Sequence, residues 1–130
     1  MKARGLKHPM IAAKGLNMSL HHLSDDLVLI IVPSEPHLCR KLSGVNEAMS
    51  LSGAGADVIV DFSHADWMSS ASLSNLILLN KLLEENGRRL VLFGLSFESK
   101  CILRTAGLID LFQIEYDQEA AVAILSAETP

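Results

Sequence analysis

The amino-acid sequence predicts an α/β fold, a mixed and mostly parallel β-sheet packed with about four helices. From residue 27 to residue 125, short apolar runs alternate with amphipathic helical stripes, as in sheets built from strand–helix–strand crossovers. Before that alternation, two strand-like runs flank the turn cluster "SDD" at residues 24–26, which predicts an antiparallel hairpin at the start. With 130 residues and 49% hydrophobic content, the chain is long enough to bury a single core.

The pattern divides the chain into three parts. Residues 1–15 have no clean hydrophobic period and are expected to form an N-terminal arm. Residues 16–126 carry the alternating pattern and are expected to form one domain, and residues 127–130 are a short C-terminal tail.

The first half of the domain contains three predicted strands and one helix. The runs "LNMSLHHL" and "LVLIIV" form the hairpin, with a three-residue turn between them, and Pro33 ends the second run. Residues 37–49 are predicted to be helical because their apolar residues recur at spacings of four and three: Leu38, Leu42, Val45 and Met49. The loop "SGAGA" then leads into the buried strand "DVIVDF" at residues 57–62.

The second half continues the alternation with three helices and two strands. Residues 70–83 form a helix with a broad apolar face, and Gly87 is its expected C-cap; the face comprises Leu73, Leu76, Ile77, Leu79 and Leu83. The strand "RRLVLFG" follows, then a helix over residues 96–107 with Ser96 and Ser99 as candidate caps. The strand "FQIEY" and a last helix capped by Asp117 complete the domain.

Composition and charge exclude several classes of function. The net charge of −4 and the absence of clustered Lys and Arg in the domain argue against direct nucleic-acid binding. No stretch reaches the ~18 apolar residues of a membrane span, and the N-terminus lacks the continuous apolar segment of a signal peptide. We therefore expect a cytoplasmic protein whose thiols, Cys39 and Cys101, are reduced.

The sequence offers no catalytic, metal or cofactor site. Neighbouring His21 and His22 point to opposite faces of a strand, and no spacing resembles a zinc site. The glycines of "SGAGAD" precede a strand, whereas phosphate-binding loops follow a strand and open a helix. Asp61 ends a strand without acidic partners and is expected to be a turn residue, and there is no GxSxG elbow. We expect no enzyme activity and no cofactor.

The segment "WMSSASLSNLILL" at residues 67–79 places Ser69, Ser70 and Ser72 at a helix start, where backbone N–H groups lack helical partners. One serine is expected to cap the helix, an interaction typically worth about 1 kcal/mol. A phosphate on one of these serines would also lie near those N–H groups and the positive end of the helix dipole. The residues alone leave both interpretations open.

The order of motifs from Leu16 to about Leu125 resembles the STAS domain, the family of bacterial anti-sigma factor antagonists and of sulfate-transporter tails. The segment "VIVDFSHADWMSSASLSNLILL" is similar to the family's strand ending in Asp, its Asp-Ser-Ser/Ala-Gly-Leu motif and its leucine-rich helix. In this comparison Ser69 stands for the motif's Asp, Ser70 for its serine and Ser72 for its Gly. The segments "NGRRLVLFGLS" and "ILRTAGLIDLFQIEYDQEAAV" resemble the rest of the family pattern.

The resemblance implies a phosphorylatable protein-interaction switch that regulates transcription, acting as an anti-sigma factor antagonist without catalytic residues. An anti-sigma factor that is also a serine kinase would bind the unmodified form and phosphorylate Ser70, and a phosphatase would reverse the modification. The implied partner-binding residues are His64, Asp66, Ser69, Ser70, Ser72 and Ser74. Trp67 is either a core anchor or an exposed contact, and its family position favours the core. The chain departs from the family in the loop at residues 33–36, "PSEP", which lacks the family's Asp.

Two other functions remain compatible with the same residues. A constitutive STAS adaptor, such as a subunit of a lipid-transport or signalling complex, would use its serines only for capping. A nucleotide-sensing STAS domain would bind its ligand beside the same loop. In each case we expect a monomer or a weak dimer.

Overall fold

The computed structural model of the protein describes residues 20–127. Its strands are β1 (Leu20–Ser24), β2 (Leu27–Ile31), β3 (Asp57–Asp61), β4 (Leu90–Phe93) and β5 (Gln113–Glu115). Its helices are α1 (His37–Ser52), α2 (Ser70–Glu85), α3 (Phe97–Thr105) and α4 (Gln118–Ala127). The predicted arm at residues 1–15, the start of the first predicted strand at 16–19 and the tail residues 128–130 lie outside the described residues.

The strands form one five-stranded sheet in the order β1-β2-β3-β4-β5. The pair β1 and β2 is antiparallel, and every other neighbouring pair is parallel. This is the predicted mixed α/β sheet beginning with a hairpin. The hairpin turn is one residue shorter than predicted, because Ser24 pairs with Leu27 and leaves only Asp25 and Asp26 in the turn.

The helices cover the two faces of the sheet unequally. Because each parallel crossover advances by one strand in the same direction, right-handed connections put α1, α2 and α3 on one face. Their apolar residues, including Leu42, Leu76 and Leu103, pack with Val58 and Leu92 in the larger core cluster. On the opposite face, α4 packs against the sheet in a smaller cluster made by Leu29, Ile59, Val91, Phe93, Ala121 and Leu125.

The apolar face of α2 is narrower than predicted. Leu76, Leu79 and Leu83 are fully buried, but Ile77 is exposed. Ile77 follows Leu76 by one residue and is therefore rotated by about 100° around the helix from the buried stripe.

The order of the strands brings four loops to one edge of the sheet. The carboxyl ends of β2, β3, β4 and β5 meet there, because these four strands are parallel and adjacent. The loops that follow them, at residues 32–36, 62–69, 94–96 and 116–117, therefore lie along what we call the carboxyl edge. In open α/β sheets this edge is the usual place for binding.

Candidate functional site

The candidate site is the start of α2, where the hydrogen bonds separate the serines by role. Ser69 is the N-cap: it has extended backbone geometry, and its hydroxyl oxygen accepts a hydrogen bond from the Ser72 backbone N–H at 3.1 Å. Ser70 is the first residue of the helix and is exposed. The capping role therefore belongs to Ser69, and the Ser70 hydroxyl lies at the surface.

Ser72 lies inside the molecule and is fully buried, with no exposed surface. Its hydroxyl donates a hydrogen bond of 2.6 Å to the Glu35 carboxylate and lies 3.2 Å from the Ser69 hydroxyl. The family resemblance implied that Ser72 is a partner-binding residue. In the structure its side chain is not on the surface, because it stands at the turn of α2 that faces the loop at residues 33–36.

Glu35 is the residue of this site that sequence reasoning missed. Its carboxylate oxygen Oε2 accepts hydrogen bonds from the Ser69 backbone N–H at 2.7 Å and from the Ser72 hydroxyl. A negative charge at this position also faces the positive end of the α2 dipole. The carboxylate that the family places in its serine motif is absent here, and Glu35 brings one to the same helix start from the neighbouring loop.

The protonation of Glu35 follows from these contacts. Burial alone would raise the pKa of the carboxyl, but the hydrogen bonds from the Ser72 hydroxyl and from Ser69 hold the pKa below its ordinary value of 4.5. The ionised form is therefore the one that the site favours.

Polar contacts between α1 and α2 hold the Glu35 loop beside the serines. The Asn46 side-chain amide donates to the Asn75 backbone oxygen at 2.9 Å and to its side-chain oxygen at 3.2 Å. The Asn75 amide in turn donates to the backbone oxygen of Ala71 at 3.2 Å. Since α1 begins directly after the loop at residues 33–36, these bonds fix the distance between Glu35 and the start of α2.

The loop between β3 and α2 is anchored at both of its ends. Asp61 ends β3, and its carboxylate accepts hydrogen bonds from the backbone N–H and the hydroxyl of Ser63, which confirms it as a turn residue. Further along, the backbone oxygen of Asp66 accepts a hydrogen bond of 2.6 Å from the hydroxyl of Ser96, the residue that caps α3. The loops after β3 and β4 are thereby joined.

Met68, and not Trp67, occupies the core position that was predicted for Trp67. The side chain of Trp67 is 49% exposed, so its predicted position in the core is wrong. Met68 is buried in the larger core cluster instead. Met68, directly before the N-cap Ser69, is the residue of this adjacent pair that is buried.

The remaining predicted site residues lie at the surface of the same region. His64 and Asp66 are exposed in the loop, and Ser74 is exposed one turn into α2. The structure thus brings His64, Asp66, Ser70 and Ser74 to the surface around the start of α2, with Ser69 half-buried at its cap.

Residues 20–127 contain neither a cluster of metal ligands nor a membrane-spanning helix. No group of three or more His, Cys, Asp or Glu residues in this part of the chain could hold a metal ion. No helix among these residues is both long and apolar enough to cross a bilayer.

Comparisons with solved structures place this fold among known ones. The anti-sigma factor antagonist SpoIIAA in its unphosphorylated form superposes with a TM-score of 0.69 at 17% identity, covering 86% of this chain and 98% of SpoIIAA. The phosphorylated SpoIIAA of Bacillus gives a TM-score of 0.59 at 16% identity, covering 82% and 97%.

Two further solved structures share the architecture. A variant of RsbS from Moorella thermoacetica has a TM-score of 0.68 at 16% identity, covering 85% of this chain and 97% of RsbS. A sulfate transporter family protein from Wolinella succinogenes has a TM-score of 0.60 at 19% identity, covering 80% and 88%. At these identities the likeness concerns the fold alone.

The family is established by the sequence itself. No curated protein sequence matches the chain significantly. The family model of the STAS domain, however, matches residues 22–121, which run from within β1 through β5 and end in the first half of α4. The chain belongs to the STAS domain family.

Proposed function

We propose that this protein is a phosphorylatable protein-interaction switch, an anti-sigma factor antagonist that regulates transcription in the cytoplasm. Unmodified, it binds an anti-sigma factor that is also a serine kinase, and this kinase phosphorylates Ser70. A phosphatase restores the binding form. The protein has no catalytic residues and no cofactor of its own, does not contact nucleic acid, and acts as a monomer or weak dimer.

The observation that carries this proposal is the difference between Ser70 and its neighbouring serines. The hydroxyls of Ser69 and Ser72 are engaged in the cap and in the contact with Glu35, whereas Ser70 is exposed at the first helical position. An acceptor serine must present its hydroxyl to a kinase without disturbing the core. Among the three serines of this helix start, Ser70 meets that requirement.

A phosphate on Ser70 would change the surface sharply while the fold persists. It would add a charge of about −2 near the backbone N–H groups of the α2 start, which favour anions. It would also lie one residue from Ser69, whose N–H already binds the Glu35 carboxylate. In a close interface, a dianion beside a second negative charge must be paired with a cation or desolvated at a cost of several kcal/mol.

The proposed partner-binding surface consists of His64, Asp66, Ser69, Ser70 and Ser74. These residues surround the acceptor, so modification of Ser70 alters the middle of the surface. Ser72 supports this surface from below through Glu35 and is not part of it. Support from relatives comes from SpoIIAA, an anti-sigma factor antagonist of which both an unphosphorylated and a phosphorylated form have solved structures.

The proposal is tested by incubating the chain with ATP and each kinase-fold anti-sigma factor of the source organism, followed by intact-mass measurement. We expect the mass of one added phosphoryl group on the wild type and none on Ser70→Ala. Ser43→Ala, which removes an exposed serine on α1, is the matched control and should accept one group. A phosphate that persists in Ser70→Ala would refute the assignment, and an unmodified wild type would favour the constitutive adaptor.

A further inference from the structure

Three exposed aromatic side chains lie along the carboxyl edge. The chain has six aromatic residues, and Phe62, Phe93 and Phe112 are buried. The other three are exposed: Trp67 by 49%, Phe97 by 79% and Tyr116 by 91%. Trp67 comes after β3, Phe97 after β4 and Tyr116 after β5, so each exposed aromatic follows a different strand of the parallel sheet.

Neighbouring strands place these aromatics along the same edge of the sheet. Because β3, β4 and β5 are adjacent, successive loops at this edge start about 5 Å apart. The hydrogen bond from the Ser96 hydroxyl to the Asp66 backbone oxygen joins the residues directly before Phe97 and Trp67. Exposed aromatic side chains gathered on one surface are typical of protein interfaces rather than of free surfaces.

Each exposed aromatic also has an acidic neighbour in the sequence. Asp66 precedes Trp67, Glu98 follows Phe97, and Tyr116 stands between Glu115 and Asp117. The segments 61–70, 94–98 and 115–119 together contain no lysine or arginine, and their acidic residues are Asp61, Asp66, Glu98, Glu115, Asp117 and Glu119. Within these segments the aromatic side chains are accompanied by negative charge only, and the nearest lysine along the chain, the exposed Lys100, follows Phe97 by three residues on α3.

We propose that this aromatic and acidic edge is the anchoring part of the partner interface, and that it binds a protein surface with arginine beside apolar side chains. The inference rests on the proposed partner-binding function and extends that surface beyond α2 to Trp67, Phe97 and Tyr116. Guanidinium groups stack on aromatic faces and pair with carboxylates at the same time. Charge complementarity thus selects a basic, arginine-bearing partner surface.

Trp67 provides a direct test because it is the sole tryptophan of the chain. The probes are two synthetic helical peptides without tryptophan that share one leucine stripe, flanked by arginine in one and by glutamate in the other. We expect the arginine peptide to shift the Trp67 emission saturably and the glutamate peptide to leave it unchanged. Equal binding of both peptides, or no binding of the arginine peptide, would overturn the proposal.

Substitutions locate the binding on the edge. Phe97→Ala and Tyr116→Ala should each weaken binding of the arginine peptide about tenfold, the effect of losing an interface anchor. Leu111→Ala is the matched control, since it removes a side chain that is 46% exposed before β5, at the opposite edge of the sheet. A loss in the control as large as in the aromatic variants would place the binding elsewhere and overturn the proposal.

The charges are tested in the same titration. The double variant Asp66→Asn and Glu98→Gln should weaken binding and flatten its salt dependence. The control pair Glu47→Gln and Glu85→Gln removes exposed acids of α1 and of the far end of α2 and should bind as the wild type does. If the two double variants weaken binding of the arginine peptide equally, the binding depends only on the net charge of the protein. That result would overturn the proposal that the peptide binds at the carboxyl edge.

The titration requires no kinase, so its failure is separable from a failure of the proposed switch. If Ser70 is phosphorylated but Phe97→Ala binds the arginine peptide as the wild type does, the edge is refuted and the switch stands. If Ser70 is never phosphorylated but the edge variants lose binding, the edge is supported and the switch fails.

Discussion

Replacing Glu35 with alanine is expected to lower the free energy of unfolding by about 2–3 kcal/mol. The substitution removes the acceptor of two hydrogen bonds, from the Ser69 backbone N–H at 2.7 Å and from the fully buried Ser72 hydroxyl at 2.6 Å. Buried donors without an acceptor carry a desolvation penalty, and the dipole of α2 loses its facing negative charge. Chemical denaturation of the two proteins at neutral pH measures the difference.

Glu35→Gln separates the charge of this residue from its shape. The amide retains an acceptor oxygen, so the loss at neutral pH should be smaller, about 1 kcal/mol. Glu35 has its pKa below 4.5 in the folded protein, and its charge therefore contributes stability that is present above pH 4.5 and lost as the pH falls through the folded pKa. The wild type should exceed Glu35→Gln in stability at pH 7, and the gap should close in acid. A gap that is constant down to low pH would contradict this account.

Gly94→Ala is expected to destabilise the protein by about 3 kcal/mol. Gly94 has a φ of 77°, a backbone conformation that costs side chains of L-residues about 1–2 kcal/mol. In addition, a Cβ at this position would lie 2.9 Å from the Ser63 backbone nitrogen and 3.1 Å from the Asp61 carboxylate. The added methyl group would therefore push directly on the loop that leads to Trp67 and α2.

Gly87→Ala is the matched control for this prediction. Gly87 has a similar φ of 71° at the end of α2, but a Cβ there would meet no atom within 4 Å. Gly87→Ala should therefore lose only the conformational part, about 1–2 kcal/mol. Equal losses in the two variants, measured by denaturation, would show that the loop accommodates the extra group and that Gly94 is needed only for its φ.

The sheet and its helices could be predicted because their signals are local. Runs such as "LVLIIV" and "DVIVDF" identify buried strands, and the spacing of Leu38, Leu42 and Val45 identifies α1. Capping is local as well: Asp117 accepts a hydrogen bond from the Ala120 N–H at 2.9 Å, as predicted. The two candidates for the α3 cap could be separated only in the structure, where Ser96 accepts from the Ser99 N–H.

The parts that could not be predicted depend on contacts between distant residues. Whether Trp67 or Met68 enters the core depends on how the loop leaves β3, because both residues are apolar and adjacent. The contact of Glu35 with Ser69 and Ser72 spans more than thirty residues. A signal for it existed nonetheless: consecutive parallel strands bring the loops after β2 and β3 together, and Glu35 is the acidic residue of the first of these loops.

A phosphate on Ser70 is expected to switch partner binding off. The test uses two forms of the chain: one made by semisynthesis with phosphoserine only at position 70, and the unmodified chain. Each form is titrated by calorimetry with the kinase-fold anti-sigma factor that phosphorylates Ser70. A chain carrying phosphoserine only at position 43 serves as the charge-matched control. We expect phosphate at Ser70 to weaken binding at least about tenfold, as a desolvated dianion in the interface requires, and phosphate at Ser43 to leave it unchanged. Equal affinities of the unmodified and Ser70-phosphorylated chains would contradict the switch.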